Sequence, residues 1–376
     1  MKRITDPSAW VLPRYGTESV ADLLPSVACH LGLPGCKDVL GLPNTEKYIV
    51  MLVDGFGWLS FQQFQSQAPF LSKFGELAEP ITTTVPSTTA AALTSLGTGL
   101  PPSVHGMAGY TFRLDNQIQN ALHLPKTYSG EDLQPNLTWF ERISDAGMLT
   151  YVVNKEEFRG SVLSQAAFRG SILLGTEDEP SMERQLELTL GAAQGEGRAL
   201  IYLYEPRLDH SGHGHGVGSE QWLEALEHID QLAQELFENL PDDTSLLITG
   251  DHGMVNVSDS GRVVFESEPL LTSNVDLLGG EARFRHIYTS KPAAVKTSWK
   301  RMLGSRATVL TREEAFSEGW FGPVGRVQDR FGDVVAAMKE DYAVVSKRQP
   351  NEMQLVGMHG SLTATEMLVP LFQGTN

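Results

Sequence analysis

Six aspartate and histidine side chains sit in four short strings far apart in the chain: Asp54 in VDGFGW, Asp209 and His213 in DHSGH, Asp251 and His252 in GDHGM, and His359 in VGMHGS. Carboxylate mixed with imidazole is the donor set that zinc or another borderline divalent ion takes. An all-oxygen calcium site would not need the imidazoles, and thiolates are absent from the strings. Six ligands suit two cations, three to each. Any one such aspartate also reads as a helix cap or turn former, and any one histidine as a buried structural residue; the combination reads as a metal centre. His210 and His215, which flank the ligands in DHSGHGHG, read as loop or supporting residues.

A hydroxyl-rich stretch offers a candidate nucleophile. VPSTTAAALTSLGTGLPPSVHG, residues 85 to 106, carries Ser87, Thr88, Thr89, Thr94 and Ser95 around three alanines. Locally it reads as a Thr/Ser-capped helix of small residues, closed by Gly97 and Gly99. Nothing within the stretch itself singles out one hydroxyl.

The elements that would position these residues are legible as periodicity. YIVMLV (48 to 53), ALIYLY (199 to 204) and SLLITG (245 to 250) are continuous apolar runs, the pattern of strands buried on both faces of a parallel sheet. Helical patterns lie between them, as in QWLEALEHIDQLAQELFENL (221 to 240). Alternating strand and helix predicts a doubly wound α/β domain, whose ligand crevice lies at the carboxyl ends of its strands. The acids Asp54, Asp209 and Asp251 follow the three runs and so would converge on that edge. Between residues 258 and 324 the pattern breaks into a locally basic segment, read as a small inserted α+β cap. The catalytic core would then comprise 1–257 and 325–376.

Composition narrows the function classes. The 376 residues are 41% hydrophobic and 20% charged, which is ordinary for a globular protein. A net charge of -17 argues against binding a nucleic-acid polymer or an anionic membrane by Lys/Arg patches. An acidic protein that handles phosphate therefore needs local cations, and metal ions are the obvious ones. No run of about 20 apolar residues marks a membrane span. The N-terminal MKRITDPSAWVLPRYG lacks an apolar signal-peptide core, so the expected location is cytoplasmic. Cys29 and Cys36 are too few for a disulfide framework.

In order and content, VDGFG, PSTTAAALTSLGTGLPPSVHG, the D-x-x-x-H-x-x-G string from Asp209 to Gly216, DHGM and the late HG pair resemble the motifs of the alkaline phosphatase superfamily. The nearest branch is the type I phosphodiesterase/nucleotide pyrophosphatase group, with its phosphonoacetate hydrolase relatives. The resemblance implies a mainly parallel α/β core flanked by helices, two divalent ions (Zn2+ first, Mn2+ as the alternative) and a covalent phospho-enzyme. It places one ion on Asp209, His213 and His359, and the other on Asp54, Asp251 and His252 with the nucleophile oxygen. TVPS at 84 to 87 imitates a TFPN-like string and nominates Thr84. Counting back from Thr98-Gly99 and His105-Gly106 at the family's spacing nominates Thr89 instead, at a helix N-terminus that favours an alkoxide and a phosphate. Thr88 and Ser87 are left as helix caps.

One departure affects the substrate. Where the branch has an asparagine that donates to a phosphate oxygen, this chain has Tyr110. Tyr110 or Arg113 could donate in its place, or a backbone N–H could do so while Tyr110 packs against the cap. The cap cations Arg283, Arg285, Lys291, Lys296, Lys300 and Arg301 either recognise an anionic leaving group or form a solvated face. The reading is a metal-dependent hydrolase of phosphate diesters or nucleotide pyrophosphates. Its alternatives are a phosphonoacetate-type C–P hydrolase or phosphomonoesterase on the same site, and a non-catalytic metal-binding relative. The expected partner is a small phosphate ester or nucleotide, and oligomeric state is not legible.

Overall fold

The continuous apolar runs form the middle of one sheet. The structure, a computed structural model, describes residues 6–125 and 127–375; Lys2 and Arg3 of the N-terminal stretch lie outside the described residues. Strands β1 (Lys47–Val53), β2 (Leu149–Lys155), β3 (Ile172–Thr176), β4 (Ala199–Glu205) and β5 (Thr244–Gly250) run parallel in the order β5-β1-β4-β2-β3. Leu371–Thr375 adds a sixth, antiparallel strand beyond β5. In register, Val53 lies opposite both Glu205 and Gly250, so the three central strands end level. That alignment brings distant residues to one crevice.

Helices cover both faces because alternate strand residues point to opposite sides. On one face, α1 (Thr89–Thr98) buries Ala92, Leu93 and Leu96 among Val50, Leu52 and Tyr202. On the other, Glu220–Glu238 buries Leu226, Ile229, Leu232 and Leu236 among Ile49, Met51 and Ile201. Ser219 starts that second helix by accepting from Trp222 N–H.

Of the two glycines expected to close α1, only Gly99 does, at φ 71°. Gly97 lies inside the helix, and a Cβ there would come 1.8 Å from the Ala167 carbonyl oxygen of Val162–Phe168. It permits a close helix–helix approach behind the nucleophile candidates.

A second sheet has the order β6-β7-β9-β8: β6 (Leu277–Glu281), β7 (Phe284–Tyr288), β8 (Ala307–Thr311) and β9 (Val334–Met338), all antiparallel. Pro292–Leu303 packs on it through Val295, Trp299 and Leu303. Its strand β9 lies past residue 324 in the sequence. Among the described residues no helix is long and apolar enough to cross a membrane.

Candidate active site

The crevice is built from the ends of β1, β4 and β5. Asp54 directly follows β1, Asp251 directly follows β5, and Asp209 and His213 lie one turn apart on α2 (Arg207–His215), which follows β4. His359 arrives just after the short strand Gly357–Met358. Asp209, His213 and His359 offer ligand atoms all within 4.8 Å of one another, and Asp54, Asp251 and His252 form a second such group. The His252 and His359 rings stack at 3.6 Å between centroids, so the two groups adjoin. His210 and His215 belong to neither.

Each histidine is turned by its other nitrogen. Nδ1 of His213 lies 2.8 Å from the Gly357 carbonyl, Nδ1 of His359 lies 2.8 Å from the Ser87 carbonyl, and Nδ1 of His252 lies 3.1 Å from the Gly253 carbonyl. A carbonyl only accepts, so Nδ1 carries the proton and the Nε2 lone pair is left for a cation. Those Nε2 atoms face carboxylates: His213 lies 3.4 Å from Asp209 Oδ1, and His252 lies 3.4 Å from Asp54 Oδ1 and 3.5 Å from Asp251 Oδ2.

Charge is concentrated where water is scarce. Burial and the neighbouring Asp251 and Asp209 push the Asp54 carboxyl well above the ordinary range. Burial also raises Asp251, while burial and the adjacent His252 and His213 hold His359 well below the usual imidazole range. Asp54 Oδ1, Asp209 Oδ1 and Asp251 Oδ2 are buried without a hydrogen-bond partner. Three orphaned carboxylate oxygens facing imidazole lone pairs are what a divalent cation relieves.

The hydroxyls of the Ser/Thr stretch can be told apart by their partners. Thr84 Oγ1 donates to the Pro86 carbonyl at 2.8 Å, and Ser87 Oγ to the Ser361 carbonyl at 2.7 Å. Thr94 Oγ1 donates to the Ala90 carbonyl, and Ser95 Oγ pairs with His105 Nε2. Thr88 occupies the cap position but makes no side-chain cap hydrogen bond; its hydroxyl lies toward Glu281 and lowers that carboxyl against the larger effect of burial. The expectation that Ser87 and Thr88 cap the helix is therefore corrected: neither hydroxyl makes a cap hydrogen bond, and Ser87 instead ties the segment to Ser361. Thr89 Oγ1 alone of these faces the ligand groups, 3.3 Å from His252 Nε2 and 3.5 Å from Asp54 Oδ2.

A cleft of roughly 1320 Å³ opens over Thr89, with Tyr110 on its wall. Arg113 is not on that wall; its guanidinium donates to the Asp329 carbonyl at 2.9 Å and lies over the Tyr288 ring. The six cap cations are likewise absent from the cleft wall, which corrects the leaving-group role considered for them. Arg283 makes a fully buried two-pronged pair with Glu366 at 2.7 and 2.9 Å, Arg285 pairs with Glu352, and Lys296 with Glu314. Arg283 thereby fastens the second sheet to the C-terminal segment, whereas Lys296 joins two helices beside that sheet. Lys155 and Arg348 are the Lys/Arg side chains that do line the cleft.

Among the lining residues that escape the sequence reading, Tyr204 and Glu281 bear on the ligand groups and the Thr88 cap. Tyr204 Oη donates to Asp54 Oδ2. Glu281, at the end of β6, has its carboxyl raised well above the ordinary range by burial, and its Oε1 has no partner. Their signal was faint: a tyrosine inside an apolar run reads as core, and a glutamate after Gly-Gly reads as a turn.

The loop to Tyr110 is braced by two neutral histidines. His105 accepts from Met107 N–H at 3.0 Å and reaches Ser95 on α1, while His286 on β7 lies 2.8 Å from the Ala108 carbonyl and accepts from Gly332 N–H. Burial, with nearby Arg330, pushes His105 down to about 3, and burial pushes His286 down to about 4. The unfolded chain binds protons at these groups below about pH 6.5, where the folded chain does not. Stability is therefore full above that pH and falls with acidification toward pH 4, each histidine contributing a slope of up to about 1.4 kcal/mol per pH unit. In urea unfolding from pH 7 to 4.5, His286→Asn should give a slope shallower by about that amount; an unchanged slope would show that His286 does not resist protonation.

Residues 48–362 match the family of type I phosphodiesterase/nucleotide pyrophosphatase. The fold is similar to murine ectonucleotide pyrophosphatase/phosphodiesterase 5, with a TM-score of 0.70, 18% identity and 88% of each chain covered. An inactive threonine-to-alanine variant of that mouse protein, in complex with AMP, is equally similar at a TM-score of 0.70, 18% identity and 87% of each chain. Phosphonoacetate hydrolase from Sinorhizobium meliloti, in complex with phosphonoformate, has a TM-score of 0.67 and 19% identity over 89% of this chain and 91% of that one. Among curated relatives, the catalytic subunit of mouse GPI ethanolamine phosphate transferase 3 is 33% identical over 88 residues, 23% of this chain. That match spans only 8% of the mouse protein's length. The extent of the family match decides the assignment: the chain belongs to the type I phosphodiesterase/nucleotide pyrophosphatase family.

Proposed function

We propose that the protein cleaves phosphate diesters or nucleotide pyrophosphates through a phospho-threonine formed on Thr89, at a site for two divalent cations, zinc before manganese. The observation that carries the reading is the Thr89 hydroxyl, facing His252 Nε2 and Asp54 Oδ2 from the first residue of a ten-residue helix. The donor set suits the cations: three unpartnered carboxylate oxygens face three imidazoles whose free nitrogens point inward. Asp209, His213 and His359 would hold one ion, and Asp54, Asp251 and His252 the other. When bound, such ions supply Lewis acidity that acidifies a hydroxyl and neutralises phosphoryl oxygens.

The chain's own residues supply the rest. Thr89 Oγ attacks phosphorus in line, the P–O bond to the leaving group breaks, and water then cleaves the phospho-threonine and regenerates the hydroxyl. The unpaired N–H groups at the start of α1 and its dipole stabilise the phosphoryl oxygens. Tyr110, on the cleft wall, is the donor we assign to the position of the missing asparagine. The cleft volume of roughly 1320 Å³ suits a nucleotide-sized ester, as does the AMP held by the mouse neighbour.

The test is a panel of p-nitrophenyl phosphate, its bis-ester, the p-nitrophenyl ester of thymidine monophosphate, and phosphonoacetate. Higher kcat/KM on the diesters is expected. A preference of more than about tenfold for the monoester, about 1.4 kcal/mol, would sink the diesterase assignment, and turnover of phosphonoacetate alone would favour the C–P hydrolase reading.

A further inference from the structure

Tyr204 is the penultimate residue of β4, opposite Leu52 of β1. Its side chain projects on the same face as Tyr202, two residues earlier, which packs against Phe168 at 4.9 Å. That is the face covered by α1, and Tyr204 packs against the same apolar cluster as Leu93 and Leu96. The ring is thus anchored in the core while its hydroxyl emerges at the crevice mouth, where it lines the cleft beside Asp54 and Thr89.

The two oxygens of Asp54 have different surroundings. Oδ1 lies 3.4 Å from His252 Nε2 and has no hydrogen-bond partner. Oδ2 accepts from Tyr204 Oη and lies 3.5 Å from Thr89 Oγ1. An aspartate at a strand end can rotate about χ1 and χ2, and either oxygen could take the cation. The tyrosine hydroxyl removes that freedom by occupying one oxygen.

We propose that Tyr204 is a positioning residue of the hydrolytic site: its hydroxyl fixes Asp54 so that Oδ1 faces the cation and Oδ2 faces the Thr89 hydroxyl. The inference rests on the two-cation reading above. Groups in this position, bonded to a ligand but not to the ion, change metal affinity or activity by about 10- to 100-fold when removed. Substrate binding does not pass through this contact, so the loss should fall on kcat and leave KM in place.

The experiment is Tyr204→Phe, which keeps the ring and removes the hydroxyl, studied on the full chain. Zn2+ is titrated against a chromophoric chelator, kcat and KM are measured on the bis-ester, and the melting temperature is recorded without metal. Expected are one of two Zn2+ sites weakened by about 10-fold or more, the other unchanged, kcat reduced with KM retained, and a melting temperature close to that of the wild type. Wild-type affinity at both sites with unchanged kcat overturns the assignment. So does equal weakening of both sites with a lowered melting temperature, which marks a packing role. If the wild-type chain itself binds no Zn2+, the two-cation reading fails and this proposal falls with it; if it binds two ions and the variant matches it, Tyr204 alone is misassigned.

Discussion

Thr89→Ala is expected to lower kcat/KM on a diester by about 10⁴-fold or more while leaving metal content and fold intact, because it deletes the proposed attacking oxygen and, besides it, only one methyl group. Thr89 is the first residue of α1, and its side chain is only partly buried. The substitution therefore leaves no deep cavity and improves helix propensity. Thr89→Ser keeps an attacking hydroxyl and should remain within about 100-fold of the wild type. The controls are the neighbours. Thr84, Ser87 and Thr94 spend their hydroxyls on backbone carbonyls, so alanine there should cost stability before chemistry. Steady-state kinetics on metal-analysed protein checks the prediction; a Thr89→Ala enzyme within tenfold of wild type would remove Thr89 from the reaction.

Stripping divalent cations is expected to abolish hydrolysis and lower the melting temperature, and returning Zn2+ should restore both. Asp54 is 4% exposed and Asp251 and His252 are fully buried, so without a cation the site crowds two buried carboxyls, each with one oxygen that lacks a hydrogen-bond partner. An ion present at about 100 times its Kd adds about 2.7 kcal/mol of stability. The same reasoning gives Asp54→Asn an unusual sign. It should cost about 100-fold or more in activity by removing a ligand, yet the metal-free variant should be at least as stable as the metal-free wild type, since one crowded carboxylate is gone. Calorimetry with and without Zn2+ reads both effects. Hydrolysis that survives verified removal of metal would contradict this account, as would a metal-free Asn variant that melts well below the metal-free wild type.

The difference between what could and could not be read in the sequence has a physical pattern. YIVMLV, ALIYLY and SLLITG were readable because a central parallel strand buries both faces and leaves no polar alternation; they became β1, β4 and β5. Leu371–Thr375 was not, because it pairs antiparallel with β5 across more than a hundred residues and carries no local signature of that partner. The Asp and His strings were readable only as a set: each residue alone has other uses, but three acids and three histidines that gather into two groups have few. The cap cations were harder, because whether Arg283 is a solvated charge or a buried strut depends on Glu366, 83 residues away. Tyr204 was hidden for the opposite reason: its ring belongs to the apolar run and only its hydroxyl belongs to the site.

The central claim is a double displacement through phospho-threonine, and the stereochemistry at phosphorus tests it most directly. A diester made chiral at phosphorus by sulfur and oxygen-isotope labelling is hydrolysed, and the configuration of the product monoester is determined. Two in-line steps, the first by Thr89 and the second by water, each invert the centre, so the account predicts net retention. Net inversion would mean that water attacks the diester directly, and would contradict it.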